Sequence, residues 1–139
     1  MSSFSTLALS MLISLFFASI SNSEGSIFSP PRVTVNITNV LKSHNQLIVH
    51  CKSGDDDLGI HRLPSLISYA FSFRPNIFGK TLFFCSFQWP NSFHFFEIYK
   101  DSRDKWLCDL CMWIVGEKSI CMFNGGTKKY DICYAWPPK

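Results

Sequence analysis

Charge is thin and dispersed in this chain. Only 17% of its 139 residues are Asp, Glu, Lys or Arg, and the longest basic run is Lys128-Lys129. The formal charge of +3 is therefore spread out. A clustered basic stripe, of the kind that tracks nucleic-acid phosphates, is missing, so no nucleic-acid partner is expected. Long apolar runs are missing as well. The apolar stretch 7–20 is interrupted only by Ser10, Ser14 and Ser19, and it falls short of the ~20 residues that cross a bilayer. Later apolar segments are shorter still, so no stable membrane insertion of the mature protein is expected. No window shows the period of a capped amphipathic helix. A G-x-S-x-G nucleophile elbow is absent, and no internal repeat is visible.

One further absence divides the chain. Residues 1–23 contain no Asp, Glu, Lys, Arg or His. The apolar run within them is followed by the small polar residues Ser21, Asn22 and Ser23. This arrangement predicts a signal peptide over 1–23 and a secreted domain over 24–139, with extracellular localisation. All six cysteines follow the leader, at Cys51, Cys85, Cys108, Cys111, Cys121 and Cys133. An even number in a short secreted domain predicts a disulfide framework. Sequence leaves fifteen connectivities open.

The domain alternates with period 2, as strands do. Val33, Val35 and Ile37 share one face, with Thr34, Asn36 and Thr38 on the other. Phe83, Cys85, Phe87 and Trp89 align in the same way. Strands are predicted at 33–38, 47–51, 69–74, 83–89, 93–99, 111–115, 119–123 and 130–134. Turn residues separate them, with Asn124-Gly125 the strongest hairpin dipeptide. The expected fold is all-β, a small disulfide-bonded β-sandwich of about eight short antiparallel strands.

Four motifs invite chemistry. Asn36-Ile37-Thr38 is an N-glycosylation sequon, and the alternation turns Asn36 to the polar face, where a glycan fits. Cys108-Asp109-Leu110-Cys111 is a C-x-x-C. Zinc would need a second pair at matching spacing, and a redox pair would need a βαβ setting, so structural bridging is expected. Asp55-Asp56-Asp57 lacks the alternate spacing of a calcium loop and reads as a solvated turn. His44, His50, His61 and His94 lie in contexts that suggest no acid–base pair. No metal, cofactor or catalytic residue is expected.

Order and spacing carry a resemblance. It runs through His50-Cys51-Lys52-Ser53, Asp55-Asp56-Asp57-Leu58-Gly59 and His61-Arg62-Leu63. It continues in Phe71-Ser72-Phe73-Arg74-Pro75-Asn76 and Gly79-Lys80-Thr81-Leu82-Phe83-Phe84-Cys85-Ser86-Phe87-Gln88-Trp89. Phe96-Glu97-Ile98-Tyr99, Arg103-Asp104, Cys108-Asp109-Leu110-Cys111-Met112-Trp113 and Tyr130-Asp131-Ile132-Cys133-Tyr134 complete it. Over roughly 32–136 this closely resembles the plant self-incompatibility protein family, the S-protein homologues. The resemblance implies a small secreted plant protein with a β-sandwich fold that signals through a surface partner. It implies no catalytic residues, bridging roles for the six cysteines, and core roles for Trp89 and Trp113. The chain departs from the family at Leu63-Pro64-Ser65-Leu66-Ile67-Ser68, which lacks the glycines expected of that turn.

The expected function is that of a secreted ligand for a cell-surface receptor or other extracellular protein. Binding residues usually sit on loops of a rigid frame. The polar, mixed-charge segments 54–62, 89–93, 100–105 and 124–129 are therefore the candidate contact loops. Their candidate residues are Asp55, Asp56, Asp57, His61, Arg62, Asn91, Lys100, Asp101, Arg103, Asp104, Lys128 and Lys129. The competing readings are a ribonuclease-like secreted hydrolase using His50, His61 or His94, and a defence protein acting on microbial membranes. The latter lacks a cationic amphipathic stretch in the sequence.

Overall fold

A computed structural model describes residues 30–138. The expected leader and the lead-in to residue 29 lie outside the described residues. Val33–Asn39 forms β1, Leu47–Lys52 β2, Asp57–Leu63 β3, Ser68–Phe73 β4 and Leu82–Trp89 β5. Ser92–Lys100 forms β6, Asp101–Asp104 a single helical turn α1, and Leu110–Val115, Ser119–Asn124 and Lys129–Ala135 form β7, β8 and β9. They build two sheets, ordered β4-β1-β7-β8-β9 and β3-β2-β5-β6. The alternating residues meet between the sheets. Val35, Ile37, Leu47, Val49, Phe87, Trp113 and Val115 are fully buried there. Burying each such side chain stabilises the fold by about 1.5–3 kcal/mol.

The all-β sandwich read from the sequence is the observed architecture, with two refinements. First, β1 runs parallel to β7, with Thr34 opposite Leu110 and Ile37 opposite Trp113. Side-chain alternation is the same in parallel and antiparallel strands, so it does not report direction. Second, residues 57–62 are not a loop. They belong to β3, an edge strand paired with β2. The pairing register shifts between His50 and Lys52, and Gly59 has φ +79°. A bulge of this kind breaks the two-residue period, so Leu58 and His61 both pack towards the core.

Each side of the sandwich is closed by a histidine stacked on an aromatic ring. His61 of β3 lies 3.7 Å from Tyr69 of β4. His94 of β6 lies 4.5 Å from Trp136, which follows β9. Three disulfides add covalent ties. Cys51–Cys85 joins β2 to β5 inside the core, Cys121–Cys133 joins β8 to β9, and Cys108–Cys111 spans the start of β7. By loop-closure entropy the first contributes about 3–4 kcal/mol and the last the least.

Buried Asn39 organises the end of the sandwich where β1 finishes. Its Nδ2 donates to the carbonyls of Asn45 and Leu63, both at 2.9 Å, and its Oδ1 accepts the Leu41 N–H at 3.0 Å. The same residue fixes the 63–68 turn, where the sequence reading expects glycines. The Asn39 carbonyl accepts the Leu66 N–H at 2.8 Å, and the Ile67 N–H donates to Pro64 O at 3.1 Å. Leu66 is held at φ +66° yet is 70% exposed. A left-handed conformation costs a non-glycine residue about 1–2 kcal/mol, and little packing offsets it here. Glycine relieves that cost but adds about 0.5–1 kcal/mol of chain entropy to the unfolded state. Leu66→Gly is therefore expected to raise unfolding free energy by about 0.5–1 kcal/mol in urea titration. A destabilised variant would show that the leucine side chain holds the turn.

Candidate functional site

The topology sends 53–56, 74–81, α1 with its following residues to 109, and 125–128 to one end of the sandwich. Two of the four sequence-predicted loops, 100–105 and 124–129, and the start of a third, 54–56, thus gather there. The fourth, with Asn91 in the β5–β6 turn, lies at the opposite end.

This end is fastened by two carboxylates that are buried rather than displayed. Asp104 is completely buried. Its carboxylate accepts the Lys100 N–H at 2.9 Å and two bonds from Arg103, Nε and Nη2, each at 2.7 Å. Arg103 Nη2 also donates to Glu97 O at 2.7 Å. The guanidinium lies between Phe96, Trp113 and Tyr134, 5.2, 5.3 and 5.5 Å from their ring centres. Arg103 therefore fills the side opening between β6 and β9 with a paired, ring-stacked cation. Asp101 accepts the Tyr99 hydroxyl proton at 3.3 Å, and its N–H donates to Thr81 O at 3.1 Å. Burial, with the Asp101 and Asp104 charges beside it, pushes the Tyr99 phenol far above its ordinary pKa. It stays a hydrogen-bond donor.

Asp101 and Asp104 are thus buried supports, and Arg103 is engaged by Asp104, Glu97 O and three rings. A polar residue in a loop looks the same in sequence whether it faces water or a buried partner.

The loop 74–81 is shaped by Asn76 and Thr81. Asn76 Oδ1 accepts the Phe78 N–H at 2.7 Å, and Thr81 Oγ1 accepts the Asn76 N–H at 2.6 Å. Gly79 sits at φ +70°, and a Cβ there would come within 3.1 Å of Asp101 Oδ2. This close approach joins the loop to α1. Between them the two segments expose large apolar side chains: Phe78 at 75%, Trp106 at 88%, Ile77 at 64% and Leu107 at 53%. Sequence reasoning missed all four. Their only signal was apolar residues inside turn-rich segments, beside Pro75-Asn76 and next to Lys105. Lys105 Nζ lies 5.2 Å above the Trp106 ring.

The remaining candidates sort by position. In the turn 53–56, Ser53 Oγ accepts the Asp56 N–H at 3.0 Å and leaves the Asp55 and Asp56 side chains exposed. Asp57, at the head of β3, accepts His50 Nε2 at 2.6 Å and the Gly59 N–H at 2.9 Å. The Gly59 N–H first, and then His50, hold its pKa below the ordinary 3.8. Arg62 is exposed beside Ile48 on the outer face of the four-stranded sheet. Lys128 and Lys129 are exposed at the β8–β9 turn, with Lys128 at φ +61°. Lys100 is half-exposed and lies 3.8 Å from Glu97.

Asn36 lies opposite Ala70 and Met112 in mid-sheet. It faces away from the core formed by Val35 and Ile37.

The four histidines do not converge. His44 bonds Ser65, His50 faces outward to Asp57, and His61 faces inward, donating to Leu58 O at 2.8 Å. His94 is at the far edge against Trp136. Among the described residues, no three His, Cys, Asp or Glu side chains are placed to share a metal ion.

Comparison with known proteins agrees with the sequence resemblance. The profile of the family described as plant self-incompatibility protein S1 matches residues 34–136. S-protein homolog 2 of Arabidopsis thaliana is 46% identical over 120 residues, covering 83% of this chain and 74% of that protein. S-protein homolog 4 of Arabidopsis thaliana is 39% identical over 131 residues, covering 91% of this chain and 86% of that protein. A solved structure of an SPH (self-incompatibility protein homologue) protein superposes with a TM-score of 0.55. It shares 19% identity and covers 78% of this chain and 93% of that one. Its family is described as widespread, small, highly stable, secreted proteins from plants. The likeness shows a shared fold.

Two predictions follow the geometry of this end. Arg103→Ala leaves Asp104 as a buried, unpaired charge, so unfolding free energy is expected to fall by about 3–5 kcal/mol. Arg103→Lys is expected to recover little of it, because a lysine has no planar fork; equal stability of Arg103→Lys and wild type in denaturant would refute the caged-fork description. The Asp57 effect has a definite sign. A depressed folded pKa adds stability above the unfolded value and loses it as pH falls through the folded value. The Gly59 amide resonance should therefore titrate below about pH 4, and Asp57→Asn should abolish that step. A midpoint above the ordinary carboxylate value would contradict the hydrogen bond.

Proposed function

The chain belongs to the plant self-incompatibility protein S1 family, and from that premise we propose that it is a secreted ligand that binds a cell-surface partner in cell–cell signalling. The α1 end is its contact face. One observation carries this reading: Phe78 and Trp106 stand almost fully exposed on segments that buried bonds hold in place. A small domain gains nothing in its own stability from displaying such side chains at one end. Exposed apolar clusters rimmed by charge mark interaction surfaces, and tryptophan is enriched among the residues that dominate binding energy. Asp55, Asp56, Lys128 and Lys129 supply the polar rim at the same end.

Secretion is supported by the pairing of all six cysteines, since such bonds persist in oxidising compartments. It also accords with the leader read over 1–23. A glycan on Asn36 would cover the outer face of the five-stranded sheet and leave the α1 end clear. The ribonuclease reading loses support because His50 and His61 point to opposite faces of their sheet, out of reach of a shared substrate atom.

Labelled protein secreted from an oxidising host tests the proposal on pollen and root cells, with unlabelled protein as competitor. Saturable, competed binding is expected. The double variant Phe78→Ala/Trp106→Ala should lose at least about tenfold in affinity while melting at the wild-type temperature. Binding that rises linearly with concentration, or a double variant that binds as well as wild type, would sink this assignment.

A further inference from the structure

We infer that the partner of the α1 end is an anionic lipid bilayer, on which the protein docks reversibly by dipping the tips of 74–81 and 105–107 into the headgroup region. This rests on the reading of that end as the contact face, and it names what the face contacts.

The apolar side chains at issue are tips and not the walls of a cleft. Ile77 and Phe78 project from one loop and Trp106 and Leu107 from another, each more than half exposed. Two clefts among the described residues, of about 360 and 520 Å³, lie away from these loops, lined by residues such as Gln88 and Asn91 in one case and Ile114 and Ser119 in the other. A flat, deformable apolar layer receives projecting side chains without a matching cavity. A folded protein partner would need one. Tryptophan is the side chain best suited to the boundary between headgroups and acyl chains, with lysine and arginine just above it at the phosphates.

The charges are arranged to match. Arg74 and Lys80 flank Ile77-Phe78, Lys105 precedes Trp106-Leu107, and neither tip segment contains an acid. All three cations are exposed. Lys105, lying over the Trp106 ring, places an ammonium immediately behind the indole. Of the acids at this end, Asp101 and Asp104 are buried; the exposed ones, Asp55, Asp56, Asp57, Asp109 and Asp131, all lie outside 74–81 and 105–107, and His50 and Thr127 engage Asp57 and Asp131. The two tips are joined through the Asp101–Thr81 hydrogen bond, so they can enter one surface together. A contiguous cationic amphipathic stretch is absent from the sequence because the surface is assembled from two loops that strands β5 and β6 separate.

Intrinsic fluorescence gives a direct readout. Trp89, Trp113 and Trp136 are buried, so Trp106 is the indole whose environment a membrane changes. The secreted protein is titrated with vesicles of phosphatidylcholine containing about one third phosphatidylglycerol, and with phosphatidylcholine alone. With the mixed vesicles we expect a blue shift, protection from acrylamide, and binding that weakens as salt rises. Phe78→Ala and Trp106→Ala should each weaken co-sedimentation several-fold. Lys80→Glu/Lys105→Glu should weaken binding to the charged vesicles about tenfold or more. All these positions are exposed, and unchanged melting curves verify folding. Two results overturn the inference. One is no partition onto anionic vesicles while cell binding still depends on Phe78 and Trp106, which identifies a protein receptor and leaves the contact face standing. The other is vesicle binding that survives both aromatic substitutions, which reduces it to diffuse electrostatic attraction.

Discussion

A buried ion pair governs how this sandwich is finished. Without Asp104, the chain leaving β6 has nothing to turn against, because its carboxylate receives the Lys100 N–H and the guanidinium of its own neighbour. Without Arg103, that carboxylate is stranded in a dry site, and the opening between Phe96, Trp113 and Tyr134 loses its plug. Such a pair gives little net stability by itself, since desolvation offsets much of the attraction. Its effect is geometric. It forces a single helical turn at a fixed place and so determines where Lys105, Trp106 and Leu107 emerge. Asp101 extends the same constraint to the loop beside it through Tyr99, Thr81 and the close approach of Gly79.

The strands were legible because each buries one face, and that leaves a period of two in the residues. Val33 to Ile37 and Phe83 to Trp89 are read that way and are found that way. Strand β3 escaped because its bulge at Gly59 places two inward side chains three residues apart, and because three aspartates precede it. The parallel pairing of β1 with β7 escaped because alternation carries no direction. Family likeness reached further than periodicity, since it spans loops as well as strands. It could not tell what its aspartates do. Asp101 and Asp104 read as solvated charge, and burial makes them struts.

The candidate face was the least legible part. Polar loop residues attracted notice, as they do in any search for binding groups, yet the side chains that distinguish this end are Ile77, Phe78, Trp106 and Leu107. In sequence they look like ordinary core residues. Only the placement of their backbones outside both sheets reveals them as displayed. The turn at Leu66 shows the same blindness in another form. A leucine that the sequence marks as apolar is held in a left-handed conformation in the open.

The parallel pairing of β1 and β7 bears on how the molecule comes into being. Thr34 is synthesised early in the domain, and its partner Leu110 comes only after six strands have been made. During synthesis β1 can pair with β4, but its other edge stays open until most of the chain has been made. Contacts this distant along the chain slow folding. An unpaired edge flanked by apolar residues is also the kind of surface through which nascent chains aggregate. The finished protein is locked by three bridges, but its assembly passes through an interval in which β1, an inner strand of one sheet, is half clothed. The order of synthesis thus leaves one edge of β1 to be covered only once β7 has been made.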